Sequence, residues 1–144
     1  MPSSEARAQI IRFCARRERS QREVLDKIRE LQAPTEWLEE LKQEGWWNQE
    51  RFAKAYAFDH WNLHHWGKRK ISHSLRFHDV PPKLIEQALS LIPEEEYLLK
   101  LKRMMQKKTG AEKDDLNQYK IRQHFIGKGY LMDEIERVER DRIE

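Results

Sequence analysis

Residues 67–89 read GKRKISHSLRFHDVPPKLIEQAL, and their spacing decides the fold. Ile71 and Leu75 are four apart and share one face of a short helix. Val80 sits in a break. Pro81-Pro82 then starts a second helix, because proline has φ pre-set and its missing N–H is not needed in a first turn. Ile85, Ala88 and Leu89 form the apolar stripe of that second helix. Counted from Ile71, the small or apolar positions Ile71, Leu75, Val80, Ile85 and Ala88 fall at offsets 0, 4, 9, 14 and 17.

The same register occurs twice more. Upstream it is filled by Val24, Ile28, Ala33, Leu38 and Leu41, and downstream by Ile121, Phe125, Tyr130, Ile135 and Val138. The three starts lie 47 and 50 residues apart, a period that marks helical arrays. In each copy a leading helix precedes the pair. The expected fold is therefore all-α, with nine helices in three tandem three-helix repeats spanning residues 1–45, 46–92 and 93–144.

Local signals place the helices between those landmarks. Ser3 or Ser4 caps the first, whose apolar face is Ala6, Ile10, Phe13 and Cys14. Ser20 with Glu23 matches a capping box for the second, and Gly45 ends the third. Asn48 caps a fourth helix with Phe52, Ala53 and Tyr56 facing inward, and Trp46-Trp47 stand just before it. Pro93 followed by Glu94, Glu95 and Glu96 starts the seventh, with proline at the first helical position and acids against the dipole. Thr109-Gly110 stops that helix, and the eighth ends around Gly127–Gly129.

Composition agrees with a helical chain. Charged residues make up 37% of the 144, against roughly 25% in an ordinary globular protein, while glycine and proline number five each. Hydrophobic residues at 38%, five of them Trp, are too many for a disordered chain. Cys14 is the single cysteine, so no intramolecular disulfide forms. No apolar run approaches the ~20 residues that span a bilayer, and the first residues have no apolar signal region. A soluble cytoplasmic protein without a membrane partner is expected.

Candidates for chemistry are few. His60 and His64 are four apart on a helix, with His65 beside them, but no carboxylate or cysteine completes a recognisable metal site and HEXXH is absent. The carboxylates at Glu39-Glu40, Glu94–Glu96 and Asp114-Asp115 lie in polar runs at helix starts or on exposed faces, whereas catalytic carboxylates need burial. Cys14 falls on an apolar stripe, and no phosphate-cradling glycine motif is present. The chain reads as a non-enzyme that needs no metal or cofactor.

Charge is distributed in phase with the repeat. Residues 7–22 carry a net +5, 23–61 a net −4, 62–78 a net +4, 79–99 a net −4 and 100–113 a net +5. If the units stack, equivalent positions line one surface. Arg12, Arg16, Arg17, Arg19 and Arg22, then Lys68, Arg69, Lys70 and Arg76, then Lys100, Lys102, Arg103, Lys107 and Lys108 would form a basic band. Such a band suits phosphates or an acidic protein groove without reading bases.

Several stretches together resemble the RecX family of recombinase regulators. They are residues 15–20 (ARRERS), 23–28 (EVLDKI), 51–53 (RFA) with Tyr56, 67–71 (GKRKI) with Leu75, and Gly129-Tyr130 with Ile135. The resemblance implies an elongated, curved array of three-helix repeats that binds the RecA recombinase filament on single- or double-stranded DNA. It implies a monomer that inhibits filament growth and the recombinase, ATPase and coprotease activities of RecA, in homologous recombination, DNA repair and the SOS response. A general helical DNA- or RNA-binding module without a dedicated protein partner is the alternative. Two departures stand out. The family has a glycine after the second helix of its first repeat, where this chain has Ala33-Pro34, and two acids before the Arg-Phe-Ala motif, where it has Asn48-Gln49.

Overall fold

A computed structural model describes residues 4–141. Among the described residues there are nine helices and no strand: α1 (Ser4–Arg16), α2 (Gln21–Glu30), α3 (Trp37–Gln43), α4 (Gln49–Asn62), α5 (Lys68–Phe77), α6 (Pro82–Ser90), α7 (Glu94–Thr109), α8 (Asp115–Gly127) and α9 (Met132–Asp141). The all-α expectation holds. Ser3, one of the two caps expected for α1, lies outside the described residues.

The repeated register is the core. All five positions of the second and third copies are buried, as are Val24, Ile28 and Leu41 of the first, with Ala33 and Leu38 partly so. The break between paired helices has one construction in all three copies. The residue eight after the start adopts a left-handed φ: Gln32 at 54°, Asp79 at 65° and Gly129 at 104°. The next N–H reaches back five residues, from Ala33 to Ile28 O at 3.0 Å, Val80 to Leu75 O at 3.1 Å and Tyr130 to Phe125 O at 3.0 Å. These closures satisfy carbonyls that the helix end leaves without partners. They also turn the ninth-offset residue inward, which is why an apolar residue recurs there.

Two details differ from expectation. Pro93 is not the first helical residue of α7 but its N-cap, with extended backbone at φ −62° and ψ 131°. Its carbonyl accepts the Tyr97 N–H at 2.9 Å, so the helix begins one residue later. The left-handed position of the first break is Gln32, beside the Ala33-Pro34 departure. A non-glycine residue there carries a cost of order 1 kcal/mol that glycine avoids.

The chain divides into two compact units. The first comprises Met1–Tyr56 and Ser74–Ala88. In it α2 packs on α1 and α3 around Ile10, Cys14, Val24, Ile28, Leu41 and Trp47. Ser20 and Glu23 make the expected capping box, with bonds of 3.1 and 3.0 Å. The indole N–H of the buried Trp47 donates to Leu38 O at 2.7 Å, which pins the chain between α3 and α4. Asn48 accepts the Arg51 N–H at 2.9 Å, so it caps the start of α4 as expected. Gln49 instead bonds Gln21 and the Asp79 carbonyl, at 3.2 and 3.3 Å.

The second unit comprises Ala57–His73 and Leu89–Glu144. In it α7, α8 and α9 pack on one another around Tyr97, Leu101, Met105, Ile121, Phe125, Tyr130, Ile135 and Val138. The backbone enters α5 by lying against the third break. Gly67 N–H donates to Lys128 O at 2.8 Å, and Arg69 N–H donates to Gly129 O at 3.1 Å. The Lys68 N–H donates to the Tyr97 hydroxyl at 3.0 Å, and that hydroxyl donates to Glu134 at 3.3 Å. Burial pushes the Tyr97 and Tyr130 hydroxyls well above the usual phenol range and raises the Glu134 carboxyl.

Leu75 has no exposed surface. Leu75→Ala is expected to destabilise the protein by about 2–5 kcal/mol through lost burial and the cavity left behind. Chemical denaturation checks it, and a near-native midpoint would mean the register is misassigned.

Candidate basic partner interface

The fourteen basic side chains singled out by their phasing fall into two groups once their contacts are known. Six are engaged with other parts of the chain. Arg17 pairs with Glu23 at 2.6 Å. Arg19 is only 8% exposed and donates from Nε to Phe13 O at 2.8 Å, with its guanidinium 3.7 Å above the Phe13 ring. Arg22 pairs with Asp79 at 3.2 Å and covers the Phe77 ring. Lys68 pairs with Glu94 at 3.3 Å and lies over Tyr97. Lys70 lies over Trp66 at 4.5 Å. Lys100 donates to Asn62 O at 2.7 Å above the Trp61 ring, and burial pulls its pKa down.

Arg12, Arg16, Arg69, Arg76, Arg103, Lys107 and Lys108 are exposed, and Lys102 is half-buried. Among the described residues these eight form no ion pair. They are the ones whose charge is available to a partner. An exposed cation already paired to a neighbour has to give up that pair before it neutralises a ligand, whereas an unpaired one does not.

In the first unit, Arg12 and Arg16 border a groove of about 140 Å³ with Gln9, Phe13 and Lys27. Lys27 itself pairs with Glu30. In the second unit, Lys107 and Lys108 in the last turn of α7 border a groove of about 560 Å³. Its other lining residues are His65, Met104, His124, Phe125 and Lys128. His65, His124 and Lys128 were not among the basic residues picked out by phase. Their signal is tertiary, since the segment after α4, the end of α8 and the end of α7 meet only in the fold. A further groove of about 530 Å³ near Ile121 mixes both signs of charge, and Arg122 and Glu139 close a salt bridge across it at 3.0 Å.

His60, His64 and Trp66 pack ring against ring, with His60–His64 centroids 5.0 Å apart and His60–Trp66 centroids 4.6 Å apart. Among the described residues no group of three or more His, Cys, Asp or Glu side chains is placed to hold a metal ion. The thiol of Cys14 is buried, and burial pushes its pKa up, away from the thiolate needed for nucleophilic chemistry. Among the described residues no helix is long and apolar enough to cross a membrane.

Residues 48–89 match the family model described as RecX, second three-helix domain. That segment is similar to the second three-helix domain of RecX proteins. The matched segment holds α4, α5 and α6. The chain is also similar to the regulatory protein RecX of Oceanobacillus iheyensis, 28% identical over 127 residues, covering 83% of this chain and 47% of that protein. It thus spans about half the length of that curated relative. Two solved RecX structures share the fold. RecX from Lactobacillus salivarius superposes with a TM-score of 0.84 at 21% identity, covering 96% of this chain and 94% of that one. A second crystal structure, of a regulatory protein RecX, superposes with a TM-score of 0.77 at 19% identity, covering 94% and 70%.

Proposed function

We infer that this chain is a non-enzymatic regulator that binds the RecA recombinase filament on DNA. In this reading it inhibits filament growth and the recombinase, ATPase and coprotease activities, acting in the cytoplasm as a monomer in recombination, DNA repair and the SOS response. The observation that carries it is the RecX match over residues 48–89. The eight unpaired basic side chains support it, because a filament of protein on nucleic acid offers acidic groups and phosphates to such a surface. The three repeats, 1–45, 46–92 and 93–144, would each present part of that surface. Hydrolysis of ATP by RecA on single-stranded DNA is expected to fall as the protein is titrated to stoichiometric amounts. Unchanged hydrolysis at stoichiometry would overturn the reading.

The second reading, a helical nucleic-acid-binding module without a protein partner, draws on the same unpaired cations. It predicts DNA binding that weakens with salt at a log–log slope of about −0.9 per phosphate contacted on duplex DNA, together with no effect on RecA beyond competition for DNA.

A further inference from the structure

We propose that the groove bounded by Lys107, Lys108 and Lys128 binds an acidic peptide segment carrying one apolar side chain. The inference builds on the reading of the basic clusters as a contact surface, since Lys107 and Lys108 belong to both. Three observations carry it. First, every charge lining this groove is positive or becomes positive on protonation, with no carboxylate among the lining residues. The Ile121 groove, by contrast, contains Glu112, Glu136 and Glu139 beside its own bases. Second, Lys107, Lys108 and Lys128 have no carboxylate within ion-pairing distance among the described residues, so their charge is not answered within the chain. Third, the accessible apolar side chain of the groove is Met104, beside the buried Phe125. A thioether side chain adapts its shape to an inserted apolar group and is common at surfaces that accept peptides.

Nucleic acid fits the groove less well. Phe125 is 3% exposed and offers no open ring face on which a base could stack. Carboxylates paired one to one with lysine ammoniums, around an inserted apolar side chain, use what is present.

The histidines make such binding pH-dependent. His65 is held below its usual range by burial and by Lys100, Lys128, His64 and Lys107. His124 is held down by burial and by Lys108 and Lys128. Carboxylates entering the groove offset that positive field and raise both pKa values, so binding takes up protons. Affinity therefore rises as pH falls.

The test is fluorescence anisotropy with a labelled decapeptide of aspartate and glutamate around one central phenylalanine. Lys128→Glu and the Lys107→Glu/Lys108→Glu pair are expected to weaken it about tenfold or more, and so is alanine in place of the peptide's phenylalanine. Wild-type affinity should rise at least ~3-fold between pH ~7.5 and ~6. Retained helical signal and melting temperature establish that the variants are folded, and the two variants check one another. Peptide affinity unchanged by Lys128→Glu, or displacement of the peptide by labelled oligothymidine that itself depends on Lys128, overturns the proposal. RecA ATPase measured on the same samples separates the two readings. Intact inhibition by wild type without peptide binding overturns the groove alone. Peptide binding without inhibition supports the groove and overturns the regulatory reading.

Discussion

Gly67→Ala is expected to lower the melting temperature by roughly 10 °C or more, equivalent to about 3 kcal/mol for a chain of this size. The reason is a backbone-to-backbone approach. A methyl group at Gly67 would stand 2.4 Å from the carbonyl carbon and oxygen of Gly129 and 2.5 Å from the Tyr130 nitrogen. Those are main-chain atoms inside the third break, so no rotamer change relieves the overlap. Moving them apart would also stretch the Gly67–Lys128 and Arg69–Gly129 hydrogen bonds and loosen the Lys68 N–H from Tyr97. Gly129→Ala should behave similarly, with φ at +104° and the Lys70 Cβ 2.4 Å away. Gly127→Ala is the control. Nothing lies within 4 Å of its would-be Cβ, and it ends α8, so replacement should leave stability unchanged or raise it by up to ~1 kcal/mol. Thermal denaturation of the three variants checks the set, and a Gly67→Ala protein as stable as Gly127→Ala would show that the close approach is absent.

The second large effect separates unpaired cations from engaged ones. On the proposed function, reversing Arg12, Arg16, Arg69 and Arg103 to glutamate is expected to raise the concentration needed to inhibit RecA ATPase by about 30-fold or more. All four are exposed and lack ion-pair partners among the described residues, so fold stability should change little. Arg19→Gln should do the reverse. Its loss removes the bond to Phe13 O and the stacking on the Phe13 ring, at a cost of about 2 kcal/mol, yet leaves inhibition unchanged in whatever protein stays folded. Inhibition that withstands the fourfold reversal while the protein remains folded would place the contact surface elsewhere.

The residues argue for why some of this was readable from the chain and some was not. The helices and their pairing were legible because the 0-4-9-14-17 register is a local constraint: each helix needs its own apolar face, and each break needs an inward residue at one offset. The capping box at Ser20 and Glu23, the Asn48 cap and the stop at Gly110 are equally local. Arg19 was not legible. In one dimension it sits among five other arginines, and only the fold sets its guanidinium over Phe13 and against a carbonyl six residues away. His65, His124 and Lys128 are also silent alone, since a groove exists only where three helix ends converge.

By itself the sequence determined an all-helical chain with a thrice-repeated core, because periodicity and capping act over a few residues. Tertiary structure decided which charges remain available. A side chain's partners come from whichever helices pack beside it, and the chain's order does not record them. The Gly67–Leu89 stretch shows both. Its apolar residues follow from spacing, whereas Lys68 and Lys70 are drawn onto Tyr97 and Trp66 and Arg69 is left facing out.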